Sequence, residues 1–82
     1  MPYDHRMMGR TIRELRRRRG MTQEVLSGLA AISRSHLAEI ETGRDSANVE
    51  TLWKIADALG IRLSELVRLM EEAMERDGNH PR

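Results

Sequence analysis

A chain of 82 residues has room for one domain and one small core, burying only about 60–65% of its unfolded surface. It contains no cysteine, which excludes a disulfide framework and a thiolate metal site and fits a reducing compartment. The formal net charge of +1 hides an asymmetry. Residues 1–44 carry nine arginines against five acidic residues, a net of +4, and residues 45–82 carry five basic against eight acidic, a net of −3. A basic half joined to an acidic half suggests one face for a polyanion and another for a different purpose.

The first segment, MPYDHRMMGR, lacks the apolar middle of a signal peptide. No apolar run approaches the roughly 20 residues of a membrane span, so a soluble cytoplasmic protein, at the nucleoid if it binds DNA, is expected. Residues 1–8 read as a partly disordered arm. Met8, Ile12 and Leu15 then sit at helical spacing, and Gly20 ends that helix. Thr22 caps a second helix with apolar positions Val25, Leu26 and Leu29. Ala30, Ala31 and Ile32 form a tight apolar turn. Ser33 caps a third helix with Leu37 and Ile40 inward, stopped near Gly43. Asn48 caps a fourth helix carrying Val49, Leu52, Trp53, Ala56 and Leu59, in which Trp53 reads as core. After Gly60, Ser64 caps an extended fifth helix to about Arg76, and residues 77–82 read as a frayed tail. The expected fold is a compact all-α domain of five helices over residues 9–76.

Residues 22–41, TQEVLSGLAAISRSHLAEIE, have the layout of a helix-turn-helix: cap, short helix, three-residue turn, cap, second helix. Two helices this short need flanking helices as a scaffold. Several further motifs stand in order: LR at Leu15–Arg16, GMTQ at Gly20–Gln23, the Leu26 and Ala30 pair, IS at Ile32–Ser33, IETG at Ile40–Gly43, and TLWKIADALGI at Thr51–Ile61. Together they resemble the phage-repressor and Cro-like (Xre-type) helix-turn-helix family over residues 9–66. Small stand-alone members of that family include restriction–modification controller proteins, phage regulators and antitoxins. Three positions depart from its pattern, one of them near Ala47, where a proline is common ahead of the fourth helix. Ser27 stands where alanine is usual, and Ala31 occupies a turn position usually held by glycine. A left-handed backbone at Ala31 would cost roughly 1 kcal/mol.

The resemblance implies that the third helix lies in the DNA major groove with its N-terminal residues at base edges. With Leu37, Ile40 and Glu41 inward, the base-reading positions are Arg34, Ser35, Ala38 and Glu39. Arg34 is the candidate for a bidentate contact to guanine. By the same resemblance Gln23 clamps the phosphate backbone, with Thr22, Ser33, His36, Thr42 and Arg44 as helpers. The four arginines 16–19 spread over about 300° of helix surface and cannot form one patch. Arg17 points away from the core into solvent, Arg18 sits on a flank as a further phosphate contact, and the stem of Arg19 packs at the helix end. Arg16 lies at the edge of the core, and the family pattern pairs it with Glu41.

Leu63, Leu66, Val67, Met70 and Met74 form a stripe on the fifth helix, widened by Leu69 and Ala73. Leu66, Leu69, Met70, Ala73 and Met74 are therefore expected at a two-fold dimer interface, placing two recognition helices about 34 Å apart on a pseudo-palindromic site. The expected function is a homodimeric, sequence-specific DNA-binding regulator, most readily a repressor, with double-stranded DNA as partner and no membrane. The alternative is an antitoxin-like module that binds a regulatory protein partner through the fifth helix and the acidic half. No nucleophile–base pair or glycine-rich phosphate loop is present, so no enzyme activity is expected. His5, His36 and His80 lie on separate segments without ligand spacing, so no metal or other cofactor is expected.

Overall fold

The computed structural model describes residues 2–78. Five helices build it: α1 (His5–Arg18), α2 (Gln23–Ala30), α3 (Arg34–Glu41), α4 (Val49–Ala58) and α5 (Leu63–Gly78). Among the described residues there is no strand, and none of the helices is long and apolar enough to cross a membrane. The fold is the expected all-α arrangement.

Local chemistry sets where four of these helices begin. A helix leaves its first N–H groups without partners, and a short polar side chain just ahead of it satisfies one. Thr22 Oγ1 accepts from the Val25 N–H at 3.1 Å, Ser33 Oγ from His36 at 3.0 Å and Asn48 Oδ1 from Thr51 at 2.8 Å. Asp4 does the same for α1, accepting from the N–H groups of Arg6 and Met7. Residues 5–8, expected in a disordered arm, are therefore helical. Met7 and Met8 are buried, so this turn is part of the core. α5 begins at Leu63, and the Arg62 carbonyl accepts from Glu65 and Leu66. Ser64 thus sits inside the first turn and not at the cap. Asp77, placed in the tail by the sequence reading, is still helical, and residues 79–82 of that tail lie outside the described residues.

The core gathers one stripe from every helix: Met8, Ile12, Leu26, Leu37, Ile40, Ile55, Leu59 and Leu66 are the large side chains fully out of solvent. α1 packs on α3 and α5, α2 on α3 and α4, and α4 on α5. The α1–α3 approach depends on Gly9, where a Cβ would land on the Ile40 carbonyl oxygen.

Three expectations about packing are corrected. On α2 the inward positions are Leu26, Ser27 and Ala30, while Val25 and Leu29 are exposed. On α4 the fully buried Ile55 takes the place expected for Trp53, which is 58% exposed. Leu52, Ile55, Ala56 and Leu59 form the inward stripe, and Val49, Trp53 and Asp57 form a separate solvent-facing row at i, i+4, i+8. On α5, Leu66 and Met70 are buried in the chain's own core, at 0% and 3% exposure. Leu69, Ala73 and Met74 pack partly against the same core. α5 must cover both α1 and α4, which consumes most of the stripe assigned to a dimer interface.

Candidate nucleic-acid interface

The interface rests on how α2 and α3 are joined. Ala31 ends α2 in the left-handed conformation, φ 57° and ψ 41°, and the Ile32 N–H bonds back to the Ser27 carbonyl at 3.0 Å. That single turn residue reverses the chain within three positions, so Ser33 can cap α3 at once. Leu37, Ile40 and Glu41 face inward from α3. Arg34, Ser35 and Glu39 are exposed, whereas Ala38 and His36 are half-buried.

Glu41 is a carboxylate in a core, with a side chain only 1% exposed. A buried charge is tolerated when it is paired and fully hydrogen-bonded. Arg16 supplies a fork, with Nε donating to Oε2 at 2.7 Å and Nη2 to Oε1 at 3.0 Å. The remaining Arg16 nitrogen, Nη1, donates to the Met21 carbonyl at 2.8 Å. The hydrogen bond to Glu41 raises the Arg16 pKa above its ordinary value, against the opposing pull of burial and with help from the carboxylate's charge. Gln23 Nε2 donates to Glu41 Oε1 at 3.0 Å. An amide nitrogen carries two hydrogens, so this contact orients Gln23 at the start of α2 and leaves one donor free.

Around that ion pair opens a shallow trench lined by Arg13, Arg16, Arg17, Thr22, Gln23, Glu24 and Arg34. Three exposed arginines from two helices, together with the free end of α2, converge there. The first N–H groups of a helix and its dipole favour an anion. The cap hydroxyls of Thr22 and Ser33 accept from backbone N–H groups, and each keeps its own hydrogen to donate outward.

Several of these side chains lie elsewhere than expected. Arg17, expected to be a bystander in solvent, lines the trench, and so does Arg13, which the sequence reading passed over. Arg6, Arg10, Arg13 and Arg17 recur at spacings of four, three and four residues, which puts them on one exposed face of α1. That spacing was the available signal, hidden by the more conspicuous run at 16–19. Arg18 instead borders a groove between α1 and α5 with Leu69, Glu72, Ala73 and Arg76, away from the trench. Arg19 is exposed, so its stem does not pack. Thr42 Oγ1 lies 3.0 Å from the Ala38 carbonyl and 3.2 Å from that of Glu39. Its one hydrogen is committed to the end of its own helix. His36 Nε2 faces Asp45 Oδ2 at 3.4 Å, a competitor to any phosphate there. Arg44 is exposed just past α3.

Known proteins share this fold. The family described as HTH_3, helix-turn-helix, matches residues 12–66. An HTH-type transcriptional regulator of Sinorhizobium fredii, y4dJ, is 36% identical over 67 residues, covering 82% of this chain and 87% of that protein. The immunity repressor of Bacillus phage phi105 is 42% identical over 60 residues, 73% of this chain but 42% of the repressor. A Mycobacterium tuberculosis protein named "Putative antitoxin HigA2" is 44% identical over 62 residues, 74% of this chain and 61% of that protein. Among solved structures, the restriction–modification controller protein C.AhdI of Aeromonas hydrophila superposes with a TM-score of 0.74 at 35% identity, covering 77% of this chain and 96% of that one. The matched span contains the whole of α2, the turn at Ala31 and α3, and the chain belongs to the HTH_3 helix-turn-helix family, the Xre (Cro/C1) type of transcriptional regulator.

Proposed function

We propose that this protein is a sequence-specific DNA-binding regulator, acting as a repressor, and that it binds a pseudo-palindromic operator as a homodimer with α3 in the major groove. The observation that carries the reading is the trench in which Arg13, Arg17, Arg34, Thr22 and Gln23 converge. Its charge and free hydrogen-bond donors suit a sugar–phosphate backbone lying along the start of α2.

Arg34 and Ser35 reach base edges from the first turn of α3, and Arg34 makes a bidentate contact to guanine worth about 1–3 kcal/mol of discrimination. Glu39, one turn on, accepts from a cytosine amino group, and Ala38 meets a thymine methyl. Gln23, Thr22 and Ser33 hold phosphates at the helix starts, joined by Arg13 and Arg17 from α1 and by Arg44. Such contacts fix register and carry no sequence information. The Arg16–Glu41 pair touches no base. It sets the angle between α1 and α3 and aims Gln23.

The test is a pair of variants measured on a selected site and on unrelated duplex. Arg34→Ala lowers affinity for the selected site far more than for unrelated DNA. Gln23→Ala weakens both alike. Equal loss on all sequences with Arg34→Ala would remove its base-reading role. A second reading, an antitoxin-like protein that binds a partner chain, is favoured by the similarity to HigA2. It predicts that the Arg34→Ala variant retains its biological activity.

A further inference from the structure

The first turn of α1 stands ahead of residue 12, where the match to the family begins, and it is docked on the turn that follows α3. His5 Nε2 donates to the Gly43 carbonyl oxygen at 3.0 Å. Gly43 has a left-handed backbone, φ 77°, and a Cβ there would fall 2.8 Å from Arg6 Cγ. The stem of Arg6 therefore lies across Gly43, in space that any other side chain would need. That contact brings Arg6 to the turn that carries Arg44, the residue after Gly43. Both arginines are exposed, and among the described residues neither has an acidic partner within ion-pair distance. Asp45, next in the chain, is already engaged: Oδ2 faces His36 at 3.4 Å and Oδ1 accepts from the Ser46 N–H at 2.9 Å. By contrast Arg10, one turn along α1, is held by Asp77 at 3.1 Å, and Arg16 is held by Glu41. Two guanidinium groups at one turn, without counter-charges and with one stem pinned, attract an anion.

We propose that Arg6 joins Arg44 in a second phosphate site, which grips the DNA backbone past the end of α3. The trench gathers around the starts of α2 and α3, where Thr22, Gln23 and Arg34 lie, whereas Gly43 follows the last turn of α3. Eleven residues of α1 separate Arg6 from Arg17, a rise of about 16 Å. Phosphates of one strand are spaced about 3.4 Å along the DNA axis, so the two arginines serve phosphates several nucleotides apart. The recognition helix is thereby held at both ends, by contacts that fix its register without reading sequence. A guanidinium suits the task because its planar fork matches two phosphate oxygens. The assignment rests on the DNA-binding reading above and extends it to a turn outside the span that the family matches.

Fluorescence anisotropy on the full chain tests it, with a selected site and an unrelated duplex titrated across a range of salt. Arg6→Met keeps the stem on Gly43 and removes the charge. It weakens binding to both duplexes alike and lowers the slope of log affinity against log salt by about 0.9. Its deficit against wild type therefore shrinks about three- to four-fold between 50 and 200 mM salt. Arg6→Lys, which keeps a cation, restores most of the slope. Neutral methylphosphonates placed one at a time along the selected site locate the contact. Wild type loses affinity at one phosphate to which Arg6→Met is indifferent, and that phosphate differs from the one to which Arg17→Ala is indifferent. A folded Arg6→Met protein with the wild-type slope and the wild-type methylphosphonate profile overturns the second site and leaves the DNA-binding reading standing. A loss confined to the selected site also overturns it, since it would place Arg6 at a base edge. A wild-type protein that does not prefer the selected site at any salt overturns the DNA-binding reading, and the second site with it.

Discussion

Replacing Arg16 with alanine is the severest single test of how the interface is held. The side chains of Arg16 and Glu41 are 9% and 1% exposed, so the substitution leaves a carboxylate in the core. Glu41 then loses both donors of the guanidinium fork and keeps only Gln23, and the Met21 carbonyl loses its partner. Removing one member of a buried ion pair costs about 3–5 kcal/mol. A domain of this size has a total stability on the order of 4–12 kcal/mol, so the loss is a large share of it. At about 4–8 °C per kcal/mol, the melting temperature falls by at least about 12 °C. Far-UV circular dichroism during heating, at equal protein concentrations, measures this. The double variant Arg16→Met/Glu41→Leu removes both charges and regains much of the lost stability, because no uncompensated charge remains. Its DNA affinity stays low, since nothing aims Gln23. A melting temperature for Arg16→Ala within about 4 °C of wild type would mean that no uncompensated charge is left buried. So would a double variant no more stable than the single one.

The arginine face of α1 makes a separate prediction. Arg13→Ala and Arg17→Ala each reduce the slope of log affinity against log salt by about 0.9, the signature of one lost phosphate contact, and an unchanged slope would remove that residue from the interface. Ala31→Gly relieves a left-handed backbone at φ 57°. The gain, offset by the greater freedom of glycine in the unfolded chain, is about 0.5–1 kcal/mol in urea titration, and a loss would mean that the turn is not strained. Gly9→Ala drives a methyl into the Ile40 carbonyl. It destabilises by about 1–3 kcal/mol or separates α1 from α3, and a neutral result would show that the two helices have room to spare.

What could be read from the sequence and what could not divide along a physical line. Cap chemistry is local, so Thr22, Ser33 and Asn48 mark the starts of α2, α3 and α4 without knowledge of the fold. Asp4 is an equally good cap, but it sits among polar residues, and although Met8 stands in register with Ile12 and Leu15, residues 1–8 read as an arm. Periodicity told which side chains share a face and not how much of that face the rest of the molecule covers. Leu66 and Met70 looked like surplus apolar area because the demand of α1 and α4 for a lid on α5 is a tertiary fact. Trp53 looked like core for the opposite reason. Its row on α4 ends at Asp57, and that polar neighbour one turn on was the sign that the row faces solvent. Arg16 and Glu41 are 25 residues apart, and only the family pattern brought them together ahead of the structure. Arg13 and Arg17 line the trench because α1 lies beside the start of α2, which no local pattern states.

Selection of bound sequences from a random DNA pool, carried out with wild type and with Arg34→Ala, tests operator recognition by α3. Wild type is expected to select two inverted half-sites with centres about one helical turn apart, each containing a guanine. Arg34→Ala should return the same spacing with the preference at that guanine lost. A wild-type selection that enriches no sequence, or a variant that returns the unaltered motif, would contradict it.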